Sequence, residues 1–199
     1  MSIPYPQLRV LIVEDHAFTR LLIKEVLQSL GCQQGNIHEA EDGASGLKAL
    51  QEKRADLIIC DWQMQPMDGL TFVRKLRDPA KSKNPFVPII FCTAHTDMDL
   101  IQRARDTGVT EVMTKPITVK AIESKIKAIL ETPRPFVDSA QYFGPDRRRR
   151  NQETTPTEDR RRARRTVIKQ VSEDEAIKIS GAHDGDAEDH GEPAETGDR

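Results

Sequence analysis

The sequence predicts an α/β protein built on a doubly wound, five-stranded parallel sheet. Short, continuous apolar runs recur along the chain, as is typical of strands that are buried on both faces. Amphipathic stretches with helical spacing alternate with these runs over about 125 residues. Alternating strands and helices favour a parallel sheet with helices on both faces. Four of the apolar runs also end directly in polar residues, which indicates a site at one edge of the sheet.

The first half of this region predicts three strands and two helices. The strands are residues 9–13, 36–40 and 57–60, and the helices are residues 17–30 and 43–53. The apolar residues of the first helix recur near the helical period, so we expect them to face the core. They are Phe18, Leu21, Leu22, Val26 and Leu30. Gly31 is expected to end this helix.

The second half predicts two strands and three helices. The strands are residues 87–92 and 110–114, and the helices begin near residues 69, 97 and 118 and end near residues 76, 107 and 130. Asp68 has the position and chemistry of an N-cap for the first of these helices. Thr96 and Asp99 have the spacing of a capping box for the second, which should end at Gly108.

A change in composition divides the chain into a folded domain, residues 8–131, and a charged, largely disordered tail, residues 132–199. The tail begins with a basic block and ends with an acidic one. Residues 147–169 carry ten Lys and Arg against three acids, whereas residues 170–199 carry two against ten. Val137, Tyr142 and Phe143 are exceptions to this composition and could pack against the last helix of the domain.

The cysteines, the N-terminal residues and the length of the apolar runs together predict a cytoplasmic protein. Cys60 and Cys92 lie inside predicted strands, and with Cys32 they show no metal-binding spacing, so we expect buried free thiols in a reducing compartment. The N-terminus has no signal-peptide pattern. No apolar run approaches the length of about 20 residues that is needed to span a bilayer, so no membrane span is expected.

The polar residues that follow the strands have a shared chemistry. Glu14 and Asp15 follow the first strand, Asp61 the third, Thr93 the fourth and Lys115 the fifth. Carboxylate oxygens suit Mg²⁺, which keeps several waters and often binds phosphate oxygens as well. An Asp carboxylate can accept a phosphoryl group, and a nearby ammonium and hydroxyl would bind the phosphoryl oxygens. The combination predicts a magnesium-dependent phosphoryl site.

Residues 8–131 resemble the receiver domain of bacterial two-component response regulators. The motifs that carry the resemblance are Val10-Leu11-Ile12-Val13-Glu14-Asp15, Leu57-Ile58-Ile59-Cys60-Asp61, Met64, Pro66-Met67-Asp68-Gly69, Thr93-Ala94 and Lys115-Pro116. The resemblance implies the flavodoxin-like strand order 2-1-3-4-5. It also implies a chemotaxis-type, single-domain receiver that signals through the surface of its last two helices and last strand.

The resemblance further implies a role for each site residue. Asp61 would accept a phosphoryl group from a sensor histidine kinase or phosphotransfer protein, and Thr93 and Lys115 would contact the phosphoryl oxygens. Mg²⁺ would be held by Glu14, Asp15, Asp61 and the backbone carbonyl of Gln63. The Lys115-Pro116 peptide bond would be cis. The chain would then be a phosphoacceptor signalling protein rather than an enzyme, with self-catalysed phosphoryl transfer and autodephosphorylation only.

The sequence departs from the family pattern in three respects. Gln65 stands where receivers usually have proline, with Pro66 one residue later, so we expect a different loop shape after Asp61. Val112 replaces the aromatic residue that many receivers have three positions before the lysine, which argues against switching by an aromatic rotamer. Gln63 and His95 lie two residues beyond Asp61 and Thr93. The resemblance implies that these positions flank the path of the hydrolytic water and tune the lifetime of the acyl phosphate.

Two other functions remain open at this point. The arginine-rich tail could itself be an effector that binds nucleic acid or an acidic partner, since arginine attracts phosphate without reading sequence. The acidic segment 170–199 argues against constitutive nucleic-acid binding, because it competes for the arginines. An aspartate-nucleophile phosphatase would also use an Asp and Mg²⁺, but that class resembles an Asp-x-Asp pattern after the first strand, which Glu14-Asp15 does not match. The resemblance also implies a downstream protein target.

Overall fold

The fold was analysed in a computed structural model of the 199-residue chain. The structure describes residues 4–94, 97–139 and 141–147, and the backbone of residues 166–168. The chain divides into a compact unit, Met1–Ile168, and a second unit, Lys169–Arg199, which lies outside the described residues. None of the described helices is long and apolar enough to cross a membrane.

The core of the fold is a five-stranded parallel sheet in the order β2-β1-β3-β4-β5. Its strands are β1 (Val10–Val13), β2 (Ile37–Ala40), β3 (Leu57–Asp61), β4 (Ile89–Thr93) and β5 (Glu111–Thr114). The helices between and after them are α1 (Ala17–Ser29), α2 (Gly43–Glu52), α3 (Gly69–Leu76), α4 (Met98–Thr107) and α5 (Val119–Glu131). The predicted fold class and the 2-1-3-4-5 strand order are therefore confirmed.

Hydrophobic side chains fill both faces of this sheet. Alternate strand residues, such as Ile12 and Ile59, pack with α1 and α5 on one face. Their neighbours, such as Leu11 and Ile58, pack on the other face with α3, whose Phe72 is fully buried. The three cysteines are free and buried, as expected from the sequence. Because both faces are covered, the carboxyl edge of the sheet is left for polar side chains.

The buried face of α1 was predicted in part: Val26 is buried and Leu30 packs against the core as expected, whereas the other three predicted residues are exposed. Ile23, Val26 and Leu27 are its buried residues, whereas Phe18 is 70% exposed and Leu21 is 50% exposed. The helical period fits both stripes, and the choice between them depends on how α1 packs against the sheet and α5. The first turn of α1 therefore carries an exposed apolar surface that periodicity had assigned to the core.

The helix caps were predicted in part. Asp68 caps α3 by accepting a hydrogen bond from the Thr71 backbone amide at 2.7 Å, as expected. The N-cap of α4 is Asp97, which accepts from the Asp99 amide, and Thr96 lies outside the described residues. A capping box that the sequence analysis missed joins Asp42 and Ser45 at the start of α2.

Two further strands follow α5 and form a hairpin. β6 (Phe136–Ser139) pairs antiparallel with β7 (Tyr142–Pro145), and β8 (Thr166–Ile168) pairs with the other edge of β6. Phe136 and Phe143 pack edge-to-face on Phe86, with ring centroids 5.3 and 5.2 Å apart. The Tyr142 hydroxyl donates its proton to the Pro145 carbonyl at 2.7 Å, and the Arg105 carbonyl of α4 lies 3.3 Å from the same hydroxyl.

The hairpin and β8 differ from what the sequence predicted for the region after residue 131. Its aromatic residues pack against Phe86 and α4, whereas the sequence analysis suggested the α5 side. The strand Thr166–Ile168 also differs from the expectation of a disordered chain from about residue 146 onward. Residues 148–165 and 169–199 lie outside the described residues, so the predicted disorder of the tail as a whole stays a prediction.

Candidate metal and phosphoryl site

Three carboxylates meet at the carboxyl edge of the sheet. Glu14 and Asp15 follow β1, and Asp61 is the last residue of β3, the central strand. Their ligand oxygens all lie within 4.8 Å of one another, close enough to share one cation. Glu14 and Asp61 are buried and Asp15 is exposed, so the cluster is open to solvent on one side. These are the carboxylates that the strand ends predicted.

Lys115 lies against the two buried carboxylates. Its Nζ is 2.9 Å from Asp61 Oδ1 and 3.1 Å from Glu14 Oε2. Partial burial acts to lower the pKa of Lys115, but the hydrogen bond and charge of Asp61, together with Glu14, outweigh it and raise this pKa. Lys115 therefore stays charged and can serve as a fixed cation for phosphoryl oxygens.

Burial and a neighbouring carboxylate act against the charged form of Glu14. Its pKa is raised by burial and by repulsion from Asp61, while the Lys115 ammonium acts in the opposite direction. The backbone of Glu14 is held on both sides, since its amide donates to the Ala40 carbonyl and its own carbonyl accepts from Arg20. A buried carboxylate held rigidly beside another one favours the binding of a cation.

Thr93 and Gln63 complete the set of predicted site residues. Thr93 is the buried last residue of β4, and its carbonyl accepts a hydrogen bond from the Lys115 amide at 2.8 Å. This bond fixes Lys115 beside the end of β4. Gln63 lies in the exposed loop two residues after Asp61, and its backbone carbonyl stays a predicted ligand. The structure thus brings Glu14, Asp15, Asp61 and Lys115 into one cluster, with Thr93 on the adjacent strand end.

Gly69 supports the site in a way that sequence reasoning missed. A Cβ at this position would lie 2.3 Å from the backbone oxygen of Asp61, so only glycine allows α3 to start this close to β3. The Gly69 amide also donates to the Trp62 carbonyl. Trp62 in turn packs edge-to-face on Phe91, with centroids 5.5 Å apart. The Asp68-Gly69 pair signalled a helix start in the sequence, but its second role required the structure.

The structure also describes most of the positions near the site at which the sequence departs from the family pattern. The Gln65-Pro66 and Lys115-Pro116 peptide bonds are both cis; the second was predicted and the first was not. Val112 packs at the edge of the core cluster that contains Phe91. His16, which follows the acidic pair, caps α1 by accepting a hydrogen bond from the Thr19 amide. His95 lies outside the described residues.

Comparison with known proteins places these features in a family. The family model described as the response regulator receiver domain matches residues 10–127. The chain is 36% identical over 123 residues to a probable chemotaxis protein CheY of Rhizobium etli, covering 62% of this chain and 92% of that protein. It is 33% identical over 124 residues to the chemotaxis protein CheY of Pseudomonas aeruginosa, covering 62% and 97%.

A comparison of structures gives the same result. The chemotaxis protein CheY4 of Vibrio cholerae has a similar fold, with a TM-score of 0.56 and 29% sequence identity. The similarity covers 62% of this chain and 98% of CheY4. The family match ends at residue 127, so the β6–β7 hairpin is an addition to the shared domain.

Proposed function

The chain belongs to the response regulator receiver domain family, and we propose that it is a response regulator that is activated by phosphorylation of Asp61. Receiver domains are signalling proteins. The single observation that best supports the assignment is the position of Asp61, whose carboxylate lies in the acidic cluster and 2.9 Å from the Lys115 ammonium. The proposed phosphodonor is a sensor histidine kinase or a phosphotransfer protein, and the proposed receiver of the signal is a downstream protein.

The acidic cluster fits a magnesium ion. Three carboxylates supply hard oxygen ligands, the exposed side leaves room for water and a phosphoryl oxygen, and no imidazole or thiolate belongs to the set. Glu14, Asp15, Asp61 and the Gln63 carbonyl would hold the ion. Bound Mg²⁺ would neutralise charge on the phosphoryl group and relieve the repulsion between Glu14 and Asp61.

The phosphoryl transfer would then rely on positioning by this chain's own residues. The Asp61 carboxylate attacks phosphorus, the bond between phosphorus and the donor nitrogen breaks, and an acyl phosphate forms on Asp61. Lys115 binds a phosphoryl oxygen with its ammonium, and the Thr93 hydroxyl donates a hydrogen bond to another. The partly exposed cluster also admits the water that later hydrolyses the acyl phosphate, which makes the signal self-limiting.

Labelling with a small phosphodonor tests the assignment. Acetyl phosphate and Mg²⁺ are expected to label the wild-type chain, and Asp61→Asn should abolish the label because an amide cannot form the acyl phosphate. Asp68→Asn is the matched control, since asparagine also caps helices well and the residue lies outside the cluster. Label retained by the Asp61 variant, or lost in both variants, would overturn the proposal.

A further inference from the structure

A second polar pocket lies away from the acidic cluster, where the hairpin meets α3 and α4. Its volume is about 420 Å³, which is in the range of small-molecule sites in proteins. Arg74 and Arg77 of the α3 end, Arg103 of α4, and Tyr142 and Phe143 of the hairpin line it. Because residues 136–145 follow the part of the chain matched by the family, this pocket is an addition to the shared receiver domain.

The charges in the pocket leave its arginines without carboxylate partners. The pocket also contains Asp78 and Asp106, but Asp78 forms an ion pair with Lys81 at 3.1 Å and Asp106 forms one with Arg147. Within residues 4–94, 97–139 and 141–147, no carboxylate pairs with Arg74, Arg77 or Arg103. The pocket therefore presents positive charge that the neighbouring acids do not neutralise.

The buried side chain of Arg77 is an independent observation that favours an anion here. Its side chain is buried, with Nε donating to the Gly108 carbonyl at 2.9 Å and Nη1 to the Pro85 carbonyl at 2.6 Å. The Nη2 atom is buried and has no hydrogen-bond partner. Burial lowers the pKa of Arg77 to about 9. The guanidinium also lies over the Phe136 ring, with Cζ 5.1 Å from the centroid, which offsets part of the cost of its burial. A nearby anion would offset more of that cost, since no carboxylate pairs with Arg77 among the described residues.

We propose that this pocket binds a small molecule that carries a phosphate group. Guanidinium groups match phosphate oxygens in geometry and charge, and three arginines from two helices surround the space. The rings of Tyr142 and Phe143 add an apolar wall for the rest of the molecule. The ligand would contact α3, α4 and the hairpin at once. Its binding would therefore restrain α4, the helix that follows β4 and its last residue, Thr93.

Binding of pyrophosphate to the full chain provides the test. Calorimetry in magnesium-free buffer with 150 mM salt is combined with amide chemical-shift mapping, so that the pocket is distinguished from the arginine-rich segment 148–165. The test variant is the double substitution Arg74→Gln and Arg103→Gln, since both side chains are exposed and their loss leaves the core intact. Lys48→Gln on α2 is the control for a lost surface charge. The amide map separates binding in the pocket from binding beside Lys115.

The expected result is that pyrophosphate shifts the amides of Arg74, Arg103 and Tyr142, and that the double variant binds at least tenfold more weakly. The Lys48 variant should bind like the wild type. Absence of binding, equal affinity in the double variant, or shifts confined to residues 148–165 or to the surroundings of Lys115 would overturn the proposal.

Discussion

At the residue scale, one ammonium holds two carboxylates together. Lys115 contacts both Glu14 and Asp61, and burial together with Asp61 raises the pKa of Glu14 despite that contact. In the proposed function Mg²⁺ takes over part of this neutralisation, which makes Lys115 available to a phosphoryl group. Lysine and magnesium are therefore expected to compete electrostatically for the same carboxylates.

Removing the lysine charge tests this competition. Lys115→Met should bind Mg²⁺ about fivefold or more tightly, because unit charges about 4 Å apart interact by about 1–4 kcal/mol at the dielectric constants of water and protein surfaces. The same variant should be labelled more slowly by acetyl phosphate. The measurement is Trp62 fluorescence during a Mg²⁺ titration, with Lys120→Met on α5 as control. Weaker Mg²⁺ binding in the Lys115 variant would contradict the account.

Neutralising Asp15 is predicted to weaken Mg²⁺ binding, the opposite of the effect expected for Lys115→Met. Asp15→Asn removes one of three ligand carboxylates and should weaken Mg²⁺ binding roughly tenfold. The metal-free variant should be slightly more stable, since one source of like-charge repulsion is gone. The same fluorescence titration measures the affinity, and Glu52→Gln, exposed at the end of α2, is the control. An unaltered titration in the Asp15 variant would exclude it as a ligand.

At the scale of elements, the hairpin rests on one close backbone contact. A Cβ on Gly144 would lie 2.9 Å from the Gly108 Cα and 2.7 Å from the Tyr142 hydroxyl. Gly108 itself has a φ of +99° as the C-cap of α4, so it too is poorly replaced. The hairpin and the end of α4 therefore fit together only because two glycines meet.

Gly144→Ala tests whether this contact holds the hairpin in place. The variant should lose about 1–3 kcal/mol of stability, because the added methyl group meets backbone that cannot move aside. Urea unfolding gives the loss, and hydrogen exchange should rise in residues 136–145. Gly35→Ala is the matched control, since a Cβ there meets nothing within 4 Å. Equal stability and exchange in both variants would show that the hairpin is not held by this contact.

Among these elements, the strands were predictable from the sequence, whereas the packing of α1 and of the hairpin was not. The strands were predicted because apolar runs buried on both faces leave little ambiguity, and their order followed from the family resemblance. The buried face of α1 was predicted only in part, because Phe18 and Ile23 belong to alternative stripes that only tertiary packing distinguishes. The place of the hairpin depends on Phe86 and Gly108, which are far from it in sequence.

At the scale of the whole molecule, the candidate site was the most predictable feature. Parallel strands bring their carboxyl ends to one edge, so the order of polar residues along the chain determined which side chains would meet. The direct contact of Lys115 with Glu14 and the close approach of Gly69 to Asp61 could not be predicted, because both depend on distances of a few ångströms. The pocket of Arg74, Arg77 and Arg103 needed the hairpin as a wall and had no sequence signal.

The identity of the phosphorylated residue in the 199-residue chain decides whether Asp61 is the phosphoacceptor. After reaction with acetyl phosphate and Mg²⁺, borohydride reduction converts an aspartyl phosphate to homoserine, which peptide mass spectrometry locates by residue. The account predicts homoserine at position 61 alone, and only when Mg²⁺ is present. Homoserine at position 15 or at another aspartate, or an unmodified Asp61 in a chain that carries label, would contradict it.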